Sequence, residues 1–213
     1  MEALRFNNLV YIPTPKHASQ SYKSLFANQL GWKNIESETI DWDSDHVFSH
    51  IIHPYSRHIK GTAQLLFQNN LGHLIDHFDF QKIFATAFFD HHSYPLVTMF
   101  GTEKAYQIDW IPLDNFLIDG DTMTKSLLRS VGIDNVDIPK INQANYSVKN
   151  LVTRLSKIHS TFNVENSLIY MYDDDLILYS KINENLRFHE VNNMPWSECS
   201  WLTNYSSARV TTK

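Results

Sequence analysis

Lys16 lies in a short stretch, Pro15-Lys16-His17-Ala18-Ser19-Gln20-Ser21, whose residue types suit an anion. The ammonium supplies a full positive charge, and Ser19 and Ser21 supply hydroxyl donors. A helix starting here adds free backbone N–H groups and a partial positive charge, both suited to phosphate. Each charge-assisted hydrogen bond to such a ligand contributes about 1.5–3 kcal/mol. The stretch has no glycine and does not follow Gly-x-x-x-x-Gly-Lys-Ser/Thr, so it is no Walker loop and a nucleotide kinase is disfavoured. Without a ligand, the same residues make a proline-rich turn, a solvated lysine and a capped helix.

Histidine is plentiful, at 11 residues, and can carry acid–base chemistry near neutral pH. His17 is a candidate base facing an acceptor, although the adjacent lysine disfavours its protonated form. His73 and His77 are four apart, so on a helix they share a face, with Asp76, Asp90 and the His91-His92 pair nearby. Zinc and iron sites use such groups. The segment His73-Leu74-Ile75-Asp76-His77 lacks the glutamate of His-Glu-x-x-His, and the reading adopted is that no metal is bound. Asp90 and Asp114 read as structural partners.

Positioning the loop requires a strand before it and a helix after it. Leu9-Val10-Tyr11-Ile12 is a short apolar run closed by Pro13 and Pro15, as in a buried strand. From Ser19, with Tyr22, Leu25, Phe26 and Leu30 on one face, the spacing is helical; Ser19 is the expected cap and Gly31 the expected stop. Val47 to Ile52 predicts a second strand ended by Pro54, followed by a helix carrying Ile59, Ala63, Leu66 and Phe67. Residues 73–89 predict a longer helix, Tyr106 to Leu113 a third strand, and Met123 to Val131 an amphipathic helix stopped by Gly132. Further helices are expected around Leu151–Ile158 and, by length, over Ser167–Ile182. Alternating strands and helices imply a parallel sheet covered on both faces, hence an α/β fold with a central, mainly parallel sheet.

The 213 residues suffice for one sizeable core and are read as a single domain, with residues from about 187 to 213 peripheral. A net charge of −5 argues against broad nucleic-acid binding while permitting a local basic pocket. The single cysteine, Cys199, cannot form an internal disulfide, which fits a reducing compartment. No signal-peptide pattern and no apolar run of membrane-spanning length is present, so a cytoplasmic protein, bacterial or viral in type, is expected.

The Pro15–Ser21 stretch also resembles the 5′-phosphosulfate loop of sulfotransferases, in the branch of carbohydrate and many bacterial enzymes. There a strand leads into Pro-Lys-Thr/Ser-Ala/Gly-Ser/Gly-Thr/Ser-Ser, from which this chain departs at His17 and Gln20. The family's second landmark, Val-Arg-Asp-Pro followed by an Arg and a Ser, is similar to Ile51-Ile52-His53-Pro54-Tyr55-Ser56-Arg57-His58-Ile59-Lys60. Ile52 and Lys60 stand at the two positions that grip the donor's 3′-phosphate, and Arg57 is retained. His92-Ser93-Tyr94-Pro95-Leu96 resembles the family's His-x-x-Pro-Gln, and the strand ending in Asp114-Asn115-Phe116 its Glu-Asn/Asp-Leu turn. Asn142 and Tyr170–Leu178 match later landmarks. The resemblance runs over roughly residues 8–182.

It implies a three-layer, P-loop NTPase-like α/β/α fold and transfer of a sulfuryl group from 3′-phosphoadenosine 5′-phosphosulfate to a hydroxyl, with a carbohydrate among the candidate acceptors. It implies Lys16 as the electrostatic catalyst, His92 or His17 as base, and Lys16, His17, Ala18, Ser19, Gln20, Ser21, Arg57 and Lys60 as donor-binding residues. A small-molecule or carbohydrate acceptor is the expected partner, with neither nucleic acid nor membrane. Because Ile52 cannot hold a phosphate, the alternative is a non-catalytic protein of the same fold that binds a nucleotide or another ligand, a sugar or a protein, with an altered 3′-phosphate site.

Overall fold

Leu9–Tyr11 is indeed a strand, and it belongs to a five-stranded mixed sheet in the computed structural model of the chain. The structure describes residues 2–87, 91–114, 120–141, 146–161 and 168–191. The expectations at Asp90, Asn115, Phe116, Asn142, Cys199 and the chain after Val191 lie outside the described residues.

The strands are β1 (Glu2–Phe6), β2 (Leu9–Tyr11), β3 (Lys33–Glu36), β4 (His46–Ile51) and β5 (Asp109–Pro112), in the order β3-β1-β2-β4-β5. The pairs β2–β4 and β4–β5 are parallel, as the alternation of elements predicts. The other edge differs. β1 pairs antiparallel with both β2 and β3, so the sheet is mixed rather than parallel throughout. A two-residue turn, Asn7-Asn8, joins β1 to β2, with Phe6 opposite Leu9 and Asn7 at φ 53°, a conformation asparagine tolerates well.

After β2 comes α1 (Ser19–Lys23), which continues directly into a π-helical stretch, Ser24–Gln29, and ends at Gly31, φ 69°. Leu30 N–H bonds to Leu25 O at 3.0 Å and Trp32 N–H to Phe26 O at 2.8 Å, the wide-turn geometry that closes this helix. β4 feeds α2 (Pro54–Gln68), where Pro54 occupies the first turn and the His53 ring accepts the Tyr55 N–H. The long helix expected over 73–89 is interrupted: a 3₁₀ turn, Gly72–Asp76, is followed by α3 (Phe78–Thr86), with His77 extended between them. The expected third strand is also shorter than its apolar pattern. α4 (Leu96–Phe100) and α5 (Thr102–Gln107) meet at Gly101, φ 80°, and only Asp109–Pro112 pairs with β4. Then come α6 (Gly120–Ser130), α7 (Tyr146–Thr161) and α8 (Asp173–Val191).

Two buried clusters result. One surrounds the sheet, with the rings of Tyr11 and Trp32 each packed on both Phe26 and Phe48, and with Met123 and Leu128 of α6 in the same cluster. The second lies between α2, α3 and α7 and includes Ala63, Leu66, Phe84, Leu155 and Tyr172. No helix among the described residues is long and apolar enough to cross a membrane.

Candidate functional site

Two parallel strands, β2 and β4, end side by side, and their outgoing connections diverge. The chain leaving β2 returns to the sheet beyond β1 as β3, whereas the chain leaving β4 returns on the opposite side as β5. Such a switch in strand order opens a crevice at the carboxyl ends of the strands, the usual place for ligands in open α/β sheets. Here a cavity of about 1060 Å³ occupies it, lined by the loop after β2 and by residues of α2 and α7.

The loop itself is unusual. Lys16 and Ala18 both adopt left-handed backbone conformations, φ 68° and 54°, although neither is glycine. That conformation costs about 1–2 kcal/mol per residue for an ordinary side chain, so the surroundings must enforce it. His17, between them, is that anchor. It is fully buried, and its Nδ1 lies 2.7 Å from Thr14 Oγ1. The Thr14 hydroxyl donates to His50 O at 3.0 Å, so His17 Nδ1–H donates to Thr14 and Nε2 keeps its lone pair. Nε2 has no partner among the described residues. Burial, and then the nearby Arg57, hold this imidazole neutral by lowering its proton affinity well below the usual range.

The structure corrects the expected cap. Ala18, not Ser19, precedes the helix, and no side chain caps it. The N–H groups of Ala18, Ser19 and Gln20 make no hydrogen bond within the described chain, and all three residues line the cavity. Unpaired backbone N–H groups beside a cavity are potential donors for an anion.

Around these donors the charge is one-sided. Among the described residues, Lys16, Lys23, Lys60 and Lys149 line the cavity together with His91 and His92, against one carboxylate, Glu2. Glu2 is bonded to Lys23 at 2.8 Å, and that bond draws its proton affinity down. A basic cavity in a chain of net charge −5 concentrates anions locally.

The residues singled out from sequence divide into two groups. Lys16, Ala18, Ser19, Gln20, Lys60 and His92 line this cavity together. His17, Ser21 and Arg57 are buried outside it. Ser21 Oγ accepts the Ile141 N–H at 3.0 Å and so fastens the chain after α6 to α1. Arg57 donates to the carbonyls of Tyr94 and His91 and contacts Met99 sulfur at 3.0 Å, holding the 91–99 segment against α2. These contacts give it a structural role, and it does not line the cavity. Ile52 is buried as well.

His92 owes its place to that segment. A Cβ on Gly61 would lie 2.7 Å from His92 O, so only glycine lets the backbone approach α2 here. Tyr172 donates to Ser93 O, and the buried Asp175 carboxylate accepts Leu96 N–H at 2.7 Å and Val97 N–H at 2.9 Å. Leu96, at the position of the family's glutamine, is buried in the core. Lys23 and Lys149 were missed in the sequence because nothing in their local pattern tells which helix face looks into a cavity.

Of the histidines weighed as metal ligands, His73 lies in the 3₁₀ turn and His77 at the break that follows it, with ring centroids 6.4 Å apart, and Asp76 pairs with Arg154. Among the described residues there is no group of three or more metal-ligating side chains. Asp114 is a structural partner: it accepts the His53 N–H and the Tyr179 hydroxyl, both at 2.8 Å.

Comparisons with protein-family models, with curated proteins and with solved structures found no match to this chain.

Proposed function

We propose that the chain is a sulfotransferase of three-layer, P-loop NTPase-like design, using 3′-phosphoadenosine 5′-phosphosulfate to sulfate a hydroxyl acceptor, a carbohydrate among the candidates. The observation that carries this reading is the cavity at the Lys16 loop. It combines unpaired N–H groups at Ala18, Ser19 and Gln20 with four lysines at the switch point of the sheet. An anion with several charged oxygens satisfies all of these at once.

In the proposed reaction the acceptor oxygen attacks sulfur in line. The new O–S bond forms as the bond from sulfur to the 5′-phosphate oxygen breaks, and charge grows on that leaving oxygen. Lys16 and the loop N–H groups stabilise this charge. The acceptor's proton passes to His92, the histidine of the expected pair that lines the cavity. His17, buried below the loop, is assigned to holding the loop's shape.

Calorimetric titration with adenosine 3′,5′-bisphosphate, paired with transfer of labelled sulfate to a panel of hydroxyl acceptors, tests the reading. Absence of both binding and transfer refutes it. One observation favours a second reading, a nucleotide-binding protein without turnover: Ile52 is buried and Arg57 is committed to carbonyls, leaving Lys60 alone of the expected 3′-phosphate group at the cavity. Equal affinity for adenosine 3′,5′-bisphosphate and adenosine 5′-phosphate, with no transfer, selects it.

A further inference from the structure

The cavity is longer than one anion site, and its far end carries a cation of its own. α2 and α7 run antiparallel. The Tyr55 ring near the start of α2 lies 5.6 Å from that of His159 near the end of α7, while a Cβ on Gly72, just past α2, would lie 3.2 Å from Leu151. Lys149, two residues before Leu151, therefore belongs to the Gln68 end of α2. Lys60 stands at the other end, eight residues and about 12 Å of helix away. Neither lysine enters a salt bridge among the described residues. Between them α2 presents Gln64 and Phe67, the ring of Phe67 partly exposed, and α7 presents Val152. This wall is uncharged, with one aromatic face and an amide.

Resting on the proposal that the Lys16 loop takes the sulfate donor, we infer that the α2–α7 end is the acceptor site and that the acceptor is itself an anion. It is a hydroxyl compound with a flat or apolar body against Phe67 and a carboxylate or comparable anionic group at Lys149. An extended polyphosphate fits less well, because the middle of the groove offers it no cation. The anion at Lys149 adds selectivity: a neutral analogue forgoes the charge-assisted contact with the ammonium.

The test uses a matched pair of probes, para-hydroxyphenylpropionate and its neutral amide, titrated into the full chain with adenosine 3′,5′-bisphosphate present and absent. The carboxylate is expected to bind about tenfold more tightly than the amide, as one charge-assisted contact implies. Lys149→Ala is expected to erase that ratio and Lys149→Glu to invert it, with the amide's affinity unchanged. Lys149 is exposed, so both variants retain the fold. Equal binding of the pair to the native chain, a preference that survives in Lys149→Ala, or no binding of either probe overturns the inference. Donor binding is read separately through Lys16→Ala. If the nucleotide binds in a Lys16-dependent way and the probe pair fails, the acceptor inference alone falls. If the nucleotide does not bind, the underlying proposal falls.

Discussion

Moving the solution from pH 8 to pH 5 should cost this protein a large part of its stability, through histidines that folding keeps neutral. His50 and His58 are fully buried, and burial pulls their pKa values down to about 3 and about 4. His50 is stacked on Tyr22 with centroids 3.6 Å apart and donates from Nε2 to Thr124 Oγ1, which itself donates to Gly120 O. His58 lies between the Tyr172 hydroxyl and Phe84 O. A depressed imidazole pKa contributes stability that is complete above the unfolded value near 6.5 and is lost as pH falls toward the folded value. At pH 5 an unfolded imidazole gains RT ln(1 + 10^1.5), about 2 kcal/mol, that a buried neutral one forgoes, so the two together cost about 4 kcal/mol. His17 acts in the same direction.

Asp109 opposes them. Burial raises its pKa to about 6, despite the bond from His46, so its contribution grows as pH falls and is lost as pH rises through that value. At pH 5 this returns about 1.5 kcal/mol, which leaves a net loss of about 2.5 kcal/mol. That is a substantial share of an ordinary stability of about 5–15 kcal/mol. Urea unfolding at pH 8, 7, 6 and 5 reads the loss directly. His50→Gln, whatever its own stability, should shrink the difference between pH 8 and pH 5 by about 2 kcal/mol. A native difference under about 1 kcal/mol, or an undiminished difference in His50→Gln, refutes the reasoning.

Further outcomes follow from single contacts. Lys16→Ala should weaken binding of adenosine 3′,5′-bisphosphate about 10- to 100-fold in calorimetry while leaving the unfolding midpoint unchanged, because the ammonium lines a cavity and fills no core. Gly61→Ala should destabilise the fold by about 1–3 kcal/mol in urea, since its methyl would meet the His92 carbonyl and displace the segment; a neutral result would show that the segment yields freely. Asp175→Ala should cost about 2–3 kcal/mol by leaving the Leu96 and Val97 N–H groups unpaired, with Asp175→Asn milder because one acceptor oxygen remains; equal losses in the two variants would contradict this.

The central units were legible because their signals are local. An apolar run closed by Pro13 predicts β2, Tyr22, Leu25 and Phe26 predict the helix after the loop, and Pro54 marks both the end of β4 and the start of α2. The antiparallel edge was not read. β1 begins at Glu2 with only partial alternation, and β3 is an exposed strand, Lys33-Asn34-Ile35-Glu36, whose pairing is supplied by its neighbour. The Asn7-Asn8 turn was the available clue. At the site, residue type found Lys16, Lys60 and His92, but type alone did not separate an arginine facing the cavity from one turned toward carbonyls. Arg57 shows this: its donors satisfy a segment some 34–42 residues away, a distance in sequence that no local motif encodes.

The Tyr172 and Asp175 contacts also have a meaning in time. Each bridges 79 residues to fasten the segment that carries His92. The β2 loop, by contrast, closes on His50 and Ser49 within 37 residues. Contacts between distant residues form only after the intervening chain has been made and its loop-closure entropy overcome. A chain emerging from the ribosome thus closes the β2 loop on β4 early, before the α7 side of the cavity has been made. The bonds from Tyr172 and Asp175 come last, added to a segment that Arg57 already holds against α2, so a product ending before Tyr172 has the closed loop without the full fastening of the segment beside it.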